Sequence, residues 1–164
     1  MSEKFTVYLE TTIPSFLTGR PSNDLILAGK QEVTRRWWET RRHHYHLAVS
    51  QFVIDEASAG DPSAADKRLS VLEHIPLLEI DEAVLNLADR ILSVGIIPPK
   101  AATDAGHIAV AARHNVDFLM TWNCTHIANG EIIARIRTIL DHAGFGSPVI
   151  CTPDELFGSN EDEN

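Results

Sequence analysis

The sequence predicts an α/β protein of three layers, with helices on both faces of a central, mainly parallel sheet. Three observations carry this, and the first two are that several short apolar runs read as buried strands and that the stretches between them have helical period. The third is size. At 164 residues the chain can bury a sizeable core as one domain, expected over residues 1–157, and it is too short for two comfortable ones. The closing residues GSNEDEN lack apolar anchors and read as an acidic, disordered tail over 158–164.

The first strand is FTVYL, residues 5–9, apolar or β-branched throughout; ETTIPS then turns the chain at Pro14. Residues 24–42 have helical period. HLAVS, residues 46–50, is a second strand, followed without a gap by a helix through QFVIDEASA that stops near Gly60. A helix over 64–74 is broken by Pro76, and LLEI, residues 77–80, is a short strand. Asp81 caps the next helix, which runs through AVLNLADRIL to Gly95, and IIPPK is a loop. Thr103 opens a small-residue helix, TDAGHIAVAARHN, with Ala105, Ile108, Ala109 and Ala112 on one face. The strand DFLMTW, a helix over 130–142, the strand PVICT and a capped PDEL turn complete the alternation.

Hydrophobic content of 44% and charged content of 23% are those of an ordinary globular protein, and no apolar run reaches the ~18 residues a membrane span needs. The N-terminus MSEKFTVYLE enters a strand pattern directly, unlike a signal peptide, which points to the cytoplasm. Cys124 and Cys151 form no paired spacing and read as reduced thiols. A net charge of −9 argues against coating nucleic acid by bulk electrostatics. The one local basic and aromatic concentration is TRRWWETRRHHYH, where Arg35, Arg36, Arg41 and Arg42 are the best candidates for RNA phosphate contacts. Trp37 and Trp38 within it cannot both face the core from adjacent helix positions.

In an open parallel sheet, ligands bind beyond the carboxyl ends of the strands. Glu10 ends the first strand, and Glu56 lies in the first two turns of the helix leaving the second. Asp104 opens a helix of about 13 residues, which travels roughly 20 Å at 1.5 Å per residue away from that edge. The following strand returns about 20 Å at 3.3 Å per residue, delivering Asn123 beside Asp104. Three carboxylates and an amide make a hard oxygen-ligand set, suited to Mg²⁺ or Mn²⁺ rather than zinc. With such an ion the acids stay ionised and hold a water poised for attack on a phosphodiester.

These residues carry a resemblance. VYLETTIPSFL, SQFVIDEASAGD, TDAGHIAVAA and VDFLMTWNCTHIAN resemble, in order and spacing, the motifs of PIN-domain proteins, particularly VapC-like toxins of type II toxin-antitoxin systems. The resemblance spans residues 5–157, and its most specific part is the DAxHIA-to-TWN pair. It implies a PIN-like fold, endoribonuclease activity dependent on Mg²⁺ or Mn²⁺, an RNA substrate, a cognate antitoxin protein and a homodimer. The family's four metal-site positions fall on Glu10, Glu56, Asp104 and Asn123, with hydroxyl partners at Thr11 and Thr121. Two positions depart from the family. Glu10 replaces the usual Asp and extends its carboxylate by about 1.5 Å. Asn123 replaces an acid, removing a negative charge while keeping a carbonyl oxygen that can coordinate. An alternative is therefore a catalytically weakened PIN domain that binds RNA or protein.

Each singled-out residue has a structural reading too. Asp104 alone would be a first-turn acid matching the helix dipole. Asp55 rivals Glu56, which the family pattern favours. His107, one turn after Asp104, can orient it or be a satisfied core histidine. Cys124 and His126 lack a second pair at zinc spacing, and His126 and Asn129 are expected to hold the loop after Asn123 by hydrogen bonds. A nucleotide-binding reading of the same fold class lacks a G-x-G-x-x-G or P-loop after the first strand.

Overall fold

The computed structural model describes residues 3–158; most of the acidic tail expected at 158–164 lies outside the described residues. Five strands form one sheet in the order β3-β2-β1-β4-β5, with every pairing parallel. They are β1 (Thr6–Leu9), β2 (His46–Ser50), β3 (Leu77–Leu78), β4 (Phe118–Met120) and β5 (Val149–Cys151). The chain winds outward from β1 to β3, then crosses back to place β4 on the other side of β1. The strand order therefore reverses between β1 and β4, where the crossovers leave in opposite directions and open a crevice at the carboxyl edge.

Among the described residues, seven α-helices in two layers enclose the sheet: α1 (Thr12–Thr18), α2 (Leu25–Thr40), α3 (Gln51–Ala57), α4 (Pro62–Leu72), α5 (Glu82–Ser93), α6 (Ala102–Arg113) and α7 (Gly130–His142). Helix α1 packs on α2 and α4, and α5 packs on α6 and α7. Local chemistry starts several of them. Asp24, Asp61, Asp81 and Asn129 each accept hydrogen bonds from first-turn amides through their side chains, satisfying donors that have no partner inside the helix. Thr152 and Glu155 close the expected capped turn reciprocally. No described helix is long and apolar enough to cross a membrane.

Two expectations are corrected. Pro14 does not end the first strand in a turn; it sits third in α1. The first turn of a helix leaves its amides without intrahelical acceptors, so proline's missing N–H costs little there. Helix α6 is also more than one-sided, for Ala105 through Ala112 are all buried. Small side chains let α5, α3 and the sheet approach it from several directions.

The closest approach is at Gly106, where a Cβ would lie 2.8 Å from Cε2 of Phe52 on α3. This contact sets α6, carrying Asp104, against the helix carrying Glu56. We expect Gly106→Val to lower stability by about 1–3 kcal/mol in denaturant melts, the usual cost of overpacking a filled site; an unchanged midpoint would mean that Phe52 swings aside freely.

Candidate functional site

The β1/β4 and β4/β5 ladders each continue past the strand ends. The Glu10 amide donates to the Met120 carbonyl at 3.1 Å, and the Thr121 amide to the Cys151 carbonyl at 3.0 Å. Glu10 thus enters the crevice from β1 with only 3% of its surface exposed. Its Oε2 accepts hydrogen bonds from the Thr12 amide at 2.9 Å and the Thr121 hydroxyl at 3.0 Å. Thr121 Oγ1 in turn accepts from the Asn123 amide at 2.9 Å, and Thr12 Oγ1 from the Trp122 amide at 2.8 Å. The exits of β1 and β4 are joined by side chains exactly where their backbones diverge.

Helix α3 leaves β2 directly, so Glu56 in its second turn stays at this edge. Its Oε1 accepts from the Thr11 hydroxyl at 2.7 Å and is hydrogen-bonded to His107 Nε2 at 2.5 Å. His107 is fully buried, and its Nδ1 meets the Tyr8 hydroxyl at 2.7 Å, which meets Ser50 Oγ at 2.7 Å. His107 therefore orients Glu56 rather than Asp104. A helical turn sets which residues share a face, but the imidazole reaches across to α3. Asp55 accepts from Gln51 within α3, whereas Glu56 reaches Thr11 and His107 on other elements, which separates the two.

Asp104 and Asn123, nineteen apart in sequence, are joined through His126. The ring Nδ1 of His126 is hydrogen-bonded to Asp104 Oδ2 at 3.0 Å, and its amide donates to Asn123 Oδ1 at 3.0 Å. The Asn123 oxygen expected to face a metal thus already stabilises the loop, with one lone pair remaining. Asn129 caps α7 and donates to the Cys124 carbonyl at 3.4 Å, as a loop-holding residue should. Cys151 is buried, and burial followed by the charges of Glu155 and Asp154 pushes its thiol up to about 12, unsuited to nucleophilic work.

Electrostatics separate the two glutamates. Burial pushes the Glu10 carboxyl above its ordinary range, against the opposing charge of His107 and the hydrogen bonds from Thr12 and Thr121. For Glu56, partial burial acts in the same direction, but the His107 hydrogen bond and charge, with the Thr11 hydroxyl, outweigh it and hold the carboxyl low. Glu10 has no ionic partner among the described residues.

The donor set matches a hard divalent cation in chemistry but is not a closed cage. Among the described residues no three His, Cys, Asp or Glu side chains form a group able to hold an ion. Mg²⁺ asks for less, since one or two carboxylates with waters and a phosphate suffice. A buried carboxylate with no salt bridge among the described residues is a feature that such an ion would complement, so these oxygens would suit it as an open site.

Arg41 and Arg42 are not brought to this edge, and Arg35 and Arg36 have an acidic partner elsewhere on their own helix. Arg35 and Arg36 pair with Glu32 at 3.7 and 3.1 Å. Arg42 lies over the Trp38 ring, and Arg41 packs against Gly158. The last two precede the amino end of β2, at the opposite edge from Glu56. Of the adjacent tryptophans, Trp37 is buried and donates to the Leu156 carbonyl at 3.1 Å, while Trp38 is half-buried beneath Arg42. Sequence reasoning missed the ring contact of His126, the Tyr8 and Ser50 relay, and Thr12. The hydroxyl pair Thr11-Thr12 after Glu10 was the one available signal for Thr12.

No protein-family model matches the chain, and no curated protein matches it.

The raised carboxyl of Glu10 has a consequence with a definite sign. Its favourable contribution is full below the unfolded pKa of about 4.3 and is lost as pH rises through the higher folded value. Ionised Glu10 therefore destabilises the metal-free protein at neutral pH. Glu10→Gln should raise Tm at pH 7 in chelator, with the gain shrinking as pH falls toward 4; a lower Tm at pH 7 would contradict this.

Proposed function

We propose that the chain is a metal-dependent endoribonuclease of the PIN type, a toxin of a toxin-antitoxin pair that hydrolyses RNA phosphodiesters. One observation carries the reading: Glu10, Glu56, Asp104 and Asn123 all reach the carboxyl edge and are held there by Thr11, Thr121, His107 and His126. An antitoxin protein and a homodimer belong to the same proposal.

Glu10, Glu56 and Asp104 would hold Mg²⁺ or Mn²⁺, with Asn123 contributing its remaining lone pair. When bound, the ion supplies charge neutralisation for a phosphodiester and acidifies an attacking water. The chain's residues prepare for this. Thr121 and the Thr12 amide fix Glu10 in one orientation, so its charge is aimed before an ion arrives. His107 and Thr11 keep Glu56 ionised at neutral pH through the same oxygen, Oε1. His126 anchors Asp104 through Oδ2 and ties it to the β4 exit.

The second reading, a weakened PIN domain that binds RNA or protein without cutting, draws on a specific observation. Asn123 and Asp104 are both engaged by His126, and no three acidic or imidazole groups among the described residues gather around one point. A ligand-poor site binds its ion weakly.

Cleavage assays with Mn²⁺ across structured and unstructured RNAs separate the two readings. The nuclease reading expects products that fall at least about 100-fold in Asp104→Ala, since even residues that merely support metal ligands often carry 10–100-fold. It also expects thermal stabilisation by Mn²⁺, about 2.7 kcal/mol at a hundred times Kd, that disappears in Glu10→Gln. RNA left intact by the wild type in every assay, with RNA binding retained, would favour the binder.

A further inference from the structure

A cleft of ≈ 570 Å³ lies at the far end of β2 from Glu56, between the turn after α2 and the end of α4. From His46 to Ser50 the strand rises about 13 Å at 3.3 Å per residue, so the cleft is separate from the acidic edge. Lys4, Arg42, His43, His46 and His74 line it, and among the described residues no carboxylate does. In a chain of net charge −9, a concave surface whose ionisable lining among the described residues is cationic and imidazole, apart from one phenol, is set against the overall balance.

Arg42 is held in a defined position. Its guanidinium carbon stands 5.0 Å from the Trp38 ring centroid, and Nη1 donates to the Trp38 carbonyl at 2.6 Å. The opening of the cleft is braced as well, for Lys4 Nζ donates to the His43 carbonyl at 2.9 Å. A guanidinium fixed on an indole presents a planar, weakly hydrated cation on which a nucleobase stacks. Lys4 and the histidine ring nitrogens supply donors suited to phosphate oxygens. The volume is in the range of small-ligand sites.

We propose that this cleft binds a nucleotide unit, its base stacked on Arg42 above Trp38 and its phosphate held by Lys4 and the histidines. The inference stands on the cleft and is independent of cleavage at the acidic edge. The same chemistry is offered by a free mononucleotide and by one residue of a single-stranded RNA.

Isothermal titration of the full chain in chelator, which silences metal chemistry, tests it with adenosine 5′-monophosphate, inorganic phosphate and a short single-stranded RNA. Saturable binding of the monophosphate identifies a free-nucleotide site, and binding of the RNA alone identifies a strand site; both uphold the proposal. The nucleotide ligand should bind at least about tenfold more tightly than phosphate, because base stacking is worth roughly 1–3 kcal/mol. Lys4→Gln/His74→Gln, at two exposed positions that leave the core untouched, should weaken it about tenfold, as loss of charge-assisted contacts does. Arg42→Gln should remove the advantage over phosphate. No binding by any of the three ligands, phosphate binding as tight as the nucleotide's, or full affinity in Lys4→Gln/His74→Gln would overturn the assignment.

Discussion

A carboxylate buried where β1 and β4 part company sets the terms for the structure around it. Glu10 cannot be desolvated without donors, and they come from both sides of the crevice: the Thr12 amide from the start of α1 and the Thr121 hydroxyl from the end of β4. Each donor is itself held. Thr121 receives the Asn123 amide, and the Thr12 hydroxyl receives the Trp122 amide. The path of the chain after β4 is therefore fixed by contacts made just after β1. Trp122 extends this brace by donating to Thr34 at 2.8 Å and stacking on Phe16, which ties α1 and α2 to the same corner.

Two carboxylate-histidine pairs flank this center and differ in character. Glu56 with His107 belongs to a chain that continues through buried Tyr8 to Ser50 and links four strands and helices behind the edge. Asp104 with His126, both partly buried, joins the start of α6 to the loop before α7. The first pair gives Glu56 one orientation and a low carboxyl; the second couples Asp104 to the position of Asn123. If an ion enters, it meets acids that are already oriented, which reduces the rearrangement that binding requires. The same prior engagement limits how many oxygens can turn toward it, and the two proposed readings, nuclease and binder, differ on this tension.

The alternation of strands and helices was legible because apolar period and capping residues are local. HLAVS and the helix over 130–142 match their observed bounds, and Asp81 caps α5 as expected. Pro14 was misread because a proline signals a break and the first turn of a helix tolerates one equally well. The four site positions could be placed at one edge by counting rise per residue. Which oxygen points where could not, since His126 and His107 act through ring nitrogens whose direction depends on packing. The arginine-rich segment was legible as a concentration of charge, but its use was not: Glu32 and Trp38 engage three of the four arginines.

By itself the sequence determined the elements, their parallel alternation and the convergence of Glu10, Glu56, Asp104 and Asn123 on the carboxyl edge. Those follow from periodicity, caps and chain length, which depend on neighbors in sequence. Only the tertiary structure decided that Glu10 is buried with hydroxyl and amide donors, that each remaining acid has its own histidine, and that a cationic cleft stands at the opposite end of β2. These depend on contacts between residues such as 10 and 121, or 56 and 107. Burial and donor direction there are set by the packed fold, and no local pattern encodes them.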